Sequence, residues 1–415
     1  MKTSNKSKTI IIPADSEEDY LIWVQDKAEF REQLNRLFEG YPEIFPPDFE
    51  HGFRFYGFCE ESKKMPDIRI RRIQMSFTKA VYQVSPSFQM PYRVGRTQEV
   101  EKALYLRRWG VPYSALAYVF GRNGMYWYRM HTSLGKNSIV GTTVKSPDNL
   151  PEDLLFDEEH FNYLGEKAYA ATTVGEGCIL GLEASWSADE EGLTKAYGVC
   201  AEECYELKED YQPKTGNTDG WASTQKAINS LYPSIQLILC FLHKWFSVAR
   251  TIKKKSKEYW EIGERVWEVY RAKTWHSFSQ RLRRLKEWAQ SHVKSEKTRN
   301  KIVRLCKNKD EYKGGYEHEK SHRTSNALDR LMDHQDRMMY STRGWHGHSE
   351  SLRLSLRAMA LLWNFHPYTP KAKGSEKYPR SPFEQLNGFQ YHDNWLHNLL
   401  IASSLQRDRT TNRKR

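Results

Sequence analysis

Between residues 147 and 243 the chain breaks into short apolar and β-branched runs, separated by Gly, Pro and helical stretches, in an order that few folds accommodate. Leu154-Leu155-Phe156 is the first run, and Asp157 closes it. Residues 167–174 and 178–182 are two more, joined as a hairpin by Gly175-Glu176-Gly177. Residues 189–203 carry Leu193, Ala196, Tyr197 and Cys200 on one helical face. Residues 215–218 lead into Asp219, residues 222–231 read as a helix stopped by Pro233, and residues 235–240 form an apolar strand with a helix from His243. The order β-β-β-α-β-α-β-α predicts a mixed five-stranded sheet, its first three strands antiparallel and its later strands joined through helices.

In that topology the first and fourth strands are neighbours, so Asp157 and Asp219 close two adjacent strands. Two facing carboxylates repel, and one tends to hold a proton. A divalent cation removes the conflict, and a pair of ions about 3.5–4 Å apart can activate a water or a 3′-hydroxyl and stabilise the leaving oxygen of a phosphodiester. Oxygen ligands with little histidine suit Mg²⁺ or Mn²⁺ rather than zinc. The bland alternative is that each Asp only caps a turn or helix, which the Gly220 after Asp219 makes a real competitor. Strand alternation puts Glu159 on the side of Asp157 and Glu158 on the other.

Upstream, residues 1–90 mix helical and strand signals. Residues 17–38 have helical spacing ended by Pro42, Pro46 and Pro47, and residues 68–84 read as a strand or hairpin. Thr97 can cap a helix running to Trp109, residues 113–120 give a second helix, Gly121-Arg122-Asn123-Gly124 turns, and residues 125–133 give a third. This is a helix-turn-helix pattern, with Arg122, Arg129 and Lys136 as candidate DNA contacts.

The net charge of +12 is concentrated. From Lys244 to Lys309 there are 20 Lys and Arg against 6 Glu and no Asp, with Trp245, Trp260, Trp267, Trp275 and Trp288 interleaved. A solvated helical face over an aromatic core accounts for this pattern. So does a DNA-guiding surface, for which Lys253, Lys254, Lys255, Arg283 and Arg284 are candidates. No run reaches the roughly 18 apolar residues of a membrane span, and Ile10-Ile11-Ile12 is too short for a secretory signal. The six cysteines contain no CxxC pair, so free thiols and no structural zinc are expected, in the cytoplasm. Residues 383–404 read as helical, and the basic residues 406–415 could touch DNA phosphates.

Thr218-Asp219-Gly220-Trp221, a helix ending at Pro233, and Leu239-Cys240-Phe241-Leu242-His243 resemble the second-acid region of bacterial insertion-sequence DDE/DDD transposases and the Mutator-like superfamily. Cys240 and His243 match that superfamily's Cys-x-x-His in type and spacing. Phe156-Asp157-Glu158-Glu159-His160 looks like the first-acid strand, and Thr324-Ser325-Asn326-Ala327-Leu328-Asp329-Arg330 like the third-acid helix. Gly344-Trp345-His346-Gly347 and residues 361–367 resemble the end of the same domain, so the likeness spans roughly residues 150–370. It departs at the third acid, where most relatives carry Glu; Asp333, Asp336 and Glu350 are rivals of Asp329 there.

The resemblance implies an α/β ribonuclease-H-like core with a basic helical insertion that often lines the DNA path, preceded by the N-terminal α+β region and helix-turn-helix-like unit. The expected divisions are 1–90, 91–146, 147–243 and 316–370 for the split core, 244–315 for the insertion, and 371–415 for a C-terminal helix and tail. It implies two Mg²⁺ or Mn²⁺ ions on Asp157, Asp219 and Asp329, with Cys240 and His243 in support. It implies element-end and target DNA as partners, a homodimer or larger synaptic assembly, no membrane, and a place at the bacterial nucleoid. The alternatives are a plain metal-dependent nuclease of the same fold and an inactive, transposase-derived DNA-binding protein.

Overall fold

The computed structural model describes residues 7–14, 16–324, 326–341, 345, 347–368 and 379–407, with only the backbone for 326–330. Among these are 17 α-helices and two mixed sheets, of four and five strands.

The four-stranded sheet comes first. Strand β1 (Thr9–Ile12) buries Ile10 and Ile12 and leaves Thr9 and Ile11 half-buried, in period-2 alternation. Helices α1 (Glu17–Gln25) and α2 (Lys27–Gly40) follow, then β2 (Phe53–Phe58), β3 (Arg71–Met75) and β4 (Val81–Pro86), in the spatial order β1-β4-β3-β2. The helical stretch expected over 17–38 is two helices. Asp26 separates them because its carboxylate accepts the N–H groups of Ala28 and Glu29 at 2.7 and 3.0 Å, capping the second.

Helices α3 (Thr97–Arg108), α4 (Tyr113–Phe120), α5 (Gly124–Leu134) and α6 (Ile139–Thr143) form the next layer. Thr97 is not the cap of α3. Arg96 holds that position, and the Thr97 hydroxyl donates instead to the Ser87 carbonyl at 2.7 Å.

The five-stranded sheet contains β5 (Asp153–Tyr163), β6 (Glu166–Gly175) and β7 (Cys178–Ser185); after α7 (Glu190–Leu207) come β8 (Thr215–Thr218), α8 (Ala222–Leu231) and β9 (Gln236–Leu239). Its order is β7-β6-β5-β8-β9, with β7-β6-β5 antiparallel and β5-β8-β9 parallel. Asp157 does not close its strand. It lies in the middle, because the polar stretch beyond it is carried on as a hairpin arm paired with β6 out to Tyr163 opposite Glu166.

Helices α9 (Phe241–Ala249), α10 (Lys257–Tyr270), α11 (Trp275–His292), α12 (Glu296–Lys307) and α13 (Gly314–Glu317) follow β9, and α9–α12 close on an apolar core of their own. Helices α14 (Asn326–Tyr340) and α15 (Ser349–Phe365) return to the sheet, and α16 (Pro382–Asn387) and α17 (Trp395–Ala402) end the described chain. Strand alternation fixes the layers: Glu158 meets α7 and α8 through Tyr197 and Thr224, whereas Thr172, paired with Asp157, meets Gln335 of α14. A single apolar cluster joins the four-stranded sheet, α3–α5, the five-stranded sheet, α15 and α17. No helix among the described residues is long and apolar enough to cross a membrane.

Candidate active site

The strand register sets the two acids. β5 and β8 pair in parallel with Leu155 opposite Asn217, the last paired residues, and Asp157 and Asp219 each follow two residues further along their chains. Both acids act electrostatically on Glu158 and on His243, so they lie in one neighbourhood past the end of β8. The Asp157 carboxylate accepts the Glu158 N–H at 2.9 Å, and that of Asp219 accepts the Trp221 N–H at 2.7 Å. The second bond closes a tight turn over Gly220, whose φ of +91° favours glycine. A Cβ at Gly220 would stand 2.4 Å from Leu239 Cδ1 and 3.0 Å from Lys244 Nζ, so the Lys244 ammonium lies against this turn.

Glu158 fastens this part of β5 from the opposite face. It is 8 % exposed, and its Oε1 accepts from the Tyr197 hydroxyl at 2.7 Å and the Thr224 hydroxyl at 2.6 Å. Burial pushes its carboxyl up to about 7, the two hydroxyls oppose that, and the charges of Asp157 and Asp219 add to it. Glu159, on the Asp157 face, is likewise raised to about 7 by burial and by Asp336 across the gap on α14.

Cys240 and His243 sit at the start of α9. Their side chains are hydrogen-bonded, and that bond and the charge of Cys240 hold the imidazole up at about 9 against the cost of burial, with Asp157 and Asp219 adding less. The ring is half-buried, and its Nδ1 is buried with no hydrogen-bond partner among the described residues.

The Asp329 side chain lies outside the described residues, but the path of its helix is defined at both ends. Before α14, the His322 carbonyl accepts from Asn217 Nδ2 at 2.9 Å and the Arg323 carbonyl from the Phe241 N–H at 3.2 Å, both within two residues of Asp219 or Cys240. Further on, Gln335 donates to Thr172 at 3.1 Å. Asp329 lies between these tethers. Of its rivals, Asp333 is exposed, Asp336 faces Glu159, and Glu350 is ion-paired with Arg353 at 3.6 Å. Glu350 follows Gly347, whose carbonyl accepts from Tyr163, at the far end of β5 and about 20 Å along that strand from Asp157. Among the described residues no three His, Cys, Asp or Glu side chains converge as a metal cage. The paired Asp157 and Asp219 supply hard oxygen donors of the kind Mg²⁺ or Mn²⁺ takes.

The basic candidates are dispersed. Arg122 and Arg129 are exposed at the α4–α5 tip beside Tyr118, Val119 and Met125. Lys136 is drawn away, its ammonium 3.1 Å from the Tyr92 hydroxyl. Lys253, Lys254 and Lys255 are exposed between α9 and α10, and Arg283 and Arg284 are exposed on α11, with Arg283 3.8 Å from Glu287. The tryptophans divide: Trp245 is buried, Trp260 exposed, and Trp288 lies under the Arg265 guanidinium at 4.3 Å. Residues 408–415, most of the basic tail, lie outside the described residues. Sequence reasoning did not single out Lys244, whose ammonium lies against the Gly220 turn. Its only signal was its place directly after the Cys-x-x-His, where it reads as the first lysine of the basic run. No protein-family model matches the chain, and no curated protein matches it in sequence.

Proposed function

We propose that the chain is a DNA transposase with a ribonuclease-H-like core that cuts phosphodiester bonds at element ends and transfers the freed 3′-hydroxyls to target DNA. The observation that carries this reading is the parallel register of β5 and β8, Leu155 opposite Asn217 with Asp157 and Asp219 each two residues further on, in a sheet ordered 3-2-1-4-5 by chain position, with Cys240 and His243 close by. Asp157 and Asp219 would hold the ions, and Asp329 would complete the set from α14. When bound, the ions supply Lewis acidity and lower the pKa of a coordinated water or hydroxyl. The protein's own part is to fix the two carboxylates through the Glu158–Tyr197–Thr224 bonds and the Gly220 turn, and to place two cations, Lys244 and His243, where a phosphate would gather negative charge. The exposed lysines and arginines of the insertion and of the α4–α5 tip suit contacts to the DNA backbone.

The decisive experiment is Asp219→Asn with Mg²⁺ and duplexes carrying the sequences that flank the gene. Cleavage is expected to vanish while binding stays within about twofold; normal cleavage by the variant would sink the proposal. Pre-cut ends then separate a transposase from a plain nuclease, since only the former joins them to a target.

A further inference from the structure

We infer that the cavity between the open face of the four-stranded sheet and the Pro91–Arg93 turn binds a free nucleoside monophosphate, its phosphate on Arg93 and Arg407 and its base beside Gln89. The inference stands apart from the DNA-cutting reading: it uses neither acid and survives that reading's failure.

The cavity follows from strand alternation. β1 and β4 pair in parallel with Ile10 opposite Val84, both fully buried in the core. Thr9, Ile11, Gln83 and Ser85 therefore share the other face, where they line a cavity of about 480 Å³. The Pro91–Arg93 turn borders it, and so does the segment ending at Arg407, whose carbonyl accepts from the Ser7 N–H at 2.6 Å. Small-molecule sites run to about 300–1,000 Å³, so a bare phosphate would fill only part of this one.

Its charge has one sign. Arg93 and Arg407 line it, and none of the described residues around it is Asp or Glu. Neither guanidinium is ion-paired among the described residues: Arg93 Nη1 donates to the Glu60 carbonyl, and Arg407 Nη2 to the Ser133 carbonyl at 3.0 Å. A guanidinium has five N–H donors, so each keeps several for a phosphate. The positive field is felt by Tyr92, which is exposed at the mouth. Burial raises its phenol, but Arg407, 4.9 Å from the ring centre, and Lys136, 3.1 Å from the hydroxyl, outweigh that and hold it below its ordinary value. The chain's own ends do not cancel this charge: residues 1–6 contain two lysines and no acid, and residues 408–415 four Lys and Arg against one Asp.

The deep end has a different chemistry. Gln89 is 4 % exposed and poorly satisfied; its Oε1 accepts from the Ser85 hydroxyl at 3.4 Å, and its Nε2 meets the Met65 sulfur at 3.7 Å. A buried carboxamide with donor and acceptor capacity to spare can read the edge of a base, and Ile11, Met90 and Leu405 offer apolar contact to its faces. The backbone around the cavity is strained as well. Eight non-glycine residues among those described have positive φ, and three of them line this one cavity: Tyr92 at 63°, Arg93 at 52° and Leu405 at 63°. Such conformations cost energy and gather at ligand clamps.

The test is calorimetric titration of the full chain with AMP, GMP, CMP and UMP, with the corresponding nucleosides and with inorganic phosphate. At least one monophosphate should bind with a Kd below about 1 mM. Its nucleoside and phosphate alone should bind about tenfold more weakly or worse. Arg93→Gln and Arg407→Gln should each lose about tenfold or more; Arg93 lies on a surface turn, so its variant decides the matter even if Arg407→Gln fails to fold. Gln89→Leu should level the affinities of the four bases. In hydrogen exchange the bound nucleotide should protect residues 90–95 and 403–407. No binding by any monophosphate, equal binding by wild type and Arg93→Gln, or protection confined to other residues overturns the site. A 5′-phosphorylated hexanucleotide that outbinds every mononucleotide by more than about tenfold, and loses that affinity in Arg93→Gln, would make the occupant a DNA strand end and overturn the free nucleotide.

Discussion

At the residue scale, the site depends on how firmly the Asp157–Glu158 and Asp219–Gly220 backbones are held. Tyr197 and Thr224 both donate to one buried carboxylate oxygen of Glu158. Removing one donor, as in Tyr197→Phe, should cost about 1–2 kcal/mol in urea unfolding and lower cleavage by shifting Asp157, without touching DNA. Gly220→Ala is expected to be worse. A positive φ of +91° and a 2.4 Å approach to Leu239 force the turn to move, so a loss of about 1–3 kcal/mol should come with weaker Mn²⁺ binding by calorimetry. If Gly220→Ala binds Mn²⁺ and melts like wild type, the turn does not position Asp219. Lys244→Ala should leave stability and Mn²⁺ affinity near wild type but slow cleavage at least tenfold, with Lys244→Arg partly restoring it.

Among the elements, the strands and helices from β6 to α8 were legible because apolar periodicity and turn residues agree there. The far half of β5 was not. Its Glu158-Glu159-His160 has no apolar alternation, and pairing with β6 rather than burial makes it a strand. The three helices after Thr97 were readable; how they dock was not, because it rests on buried arginines that look like surface residues in a sequence. Arg357 of α15 is 1 % exposed. It donates to Glu183 of β7 at 2.7 Å, to Glu203 of α7, and to the carbonyls of Gly135 and Asn137 at 3.2 and 3.0 Å. Burial alone would disfavour its charge, but the two carboxylates hold the guanidinium ionised. Arg357→Met removes the guanidinium that Glu183 and Glu203 share, leaving Glu183 only Arg353 at 3.6 Å, and should destabilise by about 3–5 kcal/mol, read as a lower urea midpoint. A loss below 1 kcal/mol would mean that the network does not bind α15 to the sheet. The Asp329 helix was legible as a helix, whereas its route past Asn217 and Thr172 comes from tertiary contacts that no spacing encodes.

For the whole molecule, one apolar cluster and several buried, neutral histidines set the response to acid. Burial holds His366 and His397 down at about 3 and about 4, and His131 well below its ordinary range. An unfolded histidine titrates near 6.5. Below that, the unfolded chain takes up protons that the fold refuses. The stabilisation from the neutral rings is therefore complete above about pH 6.5 and is lost as pH falls toward the folded values, at about 1.4 kcal/mol per pH unit for each ring. Melting temperature should drop steeply between about pH 6 and pH 4, and His397→Asn should flatten the slope; an unchanged slope in that variant would remove His397 from the account. The same core has a consequence in time. Only one edge of β1 is covered by β4; on its other side lie residues from the far end of the described chain, where the Leu405 N–H reaches the Thr9 carbonyl at 3.0 Å and the Ile11 N–H reaches the Ser404 hydroxyl at 3.0 Å. During synthesis on the ribosome the first strand therefore waits nearly four hundred residues for its neighbour. Nascent chains stalled before residue 403 should stay protease-sensitive in their first 90 residues and become resistant once residue 407 has left the exit tunnel.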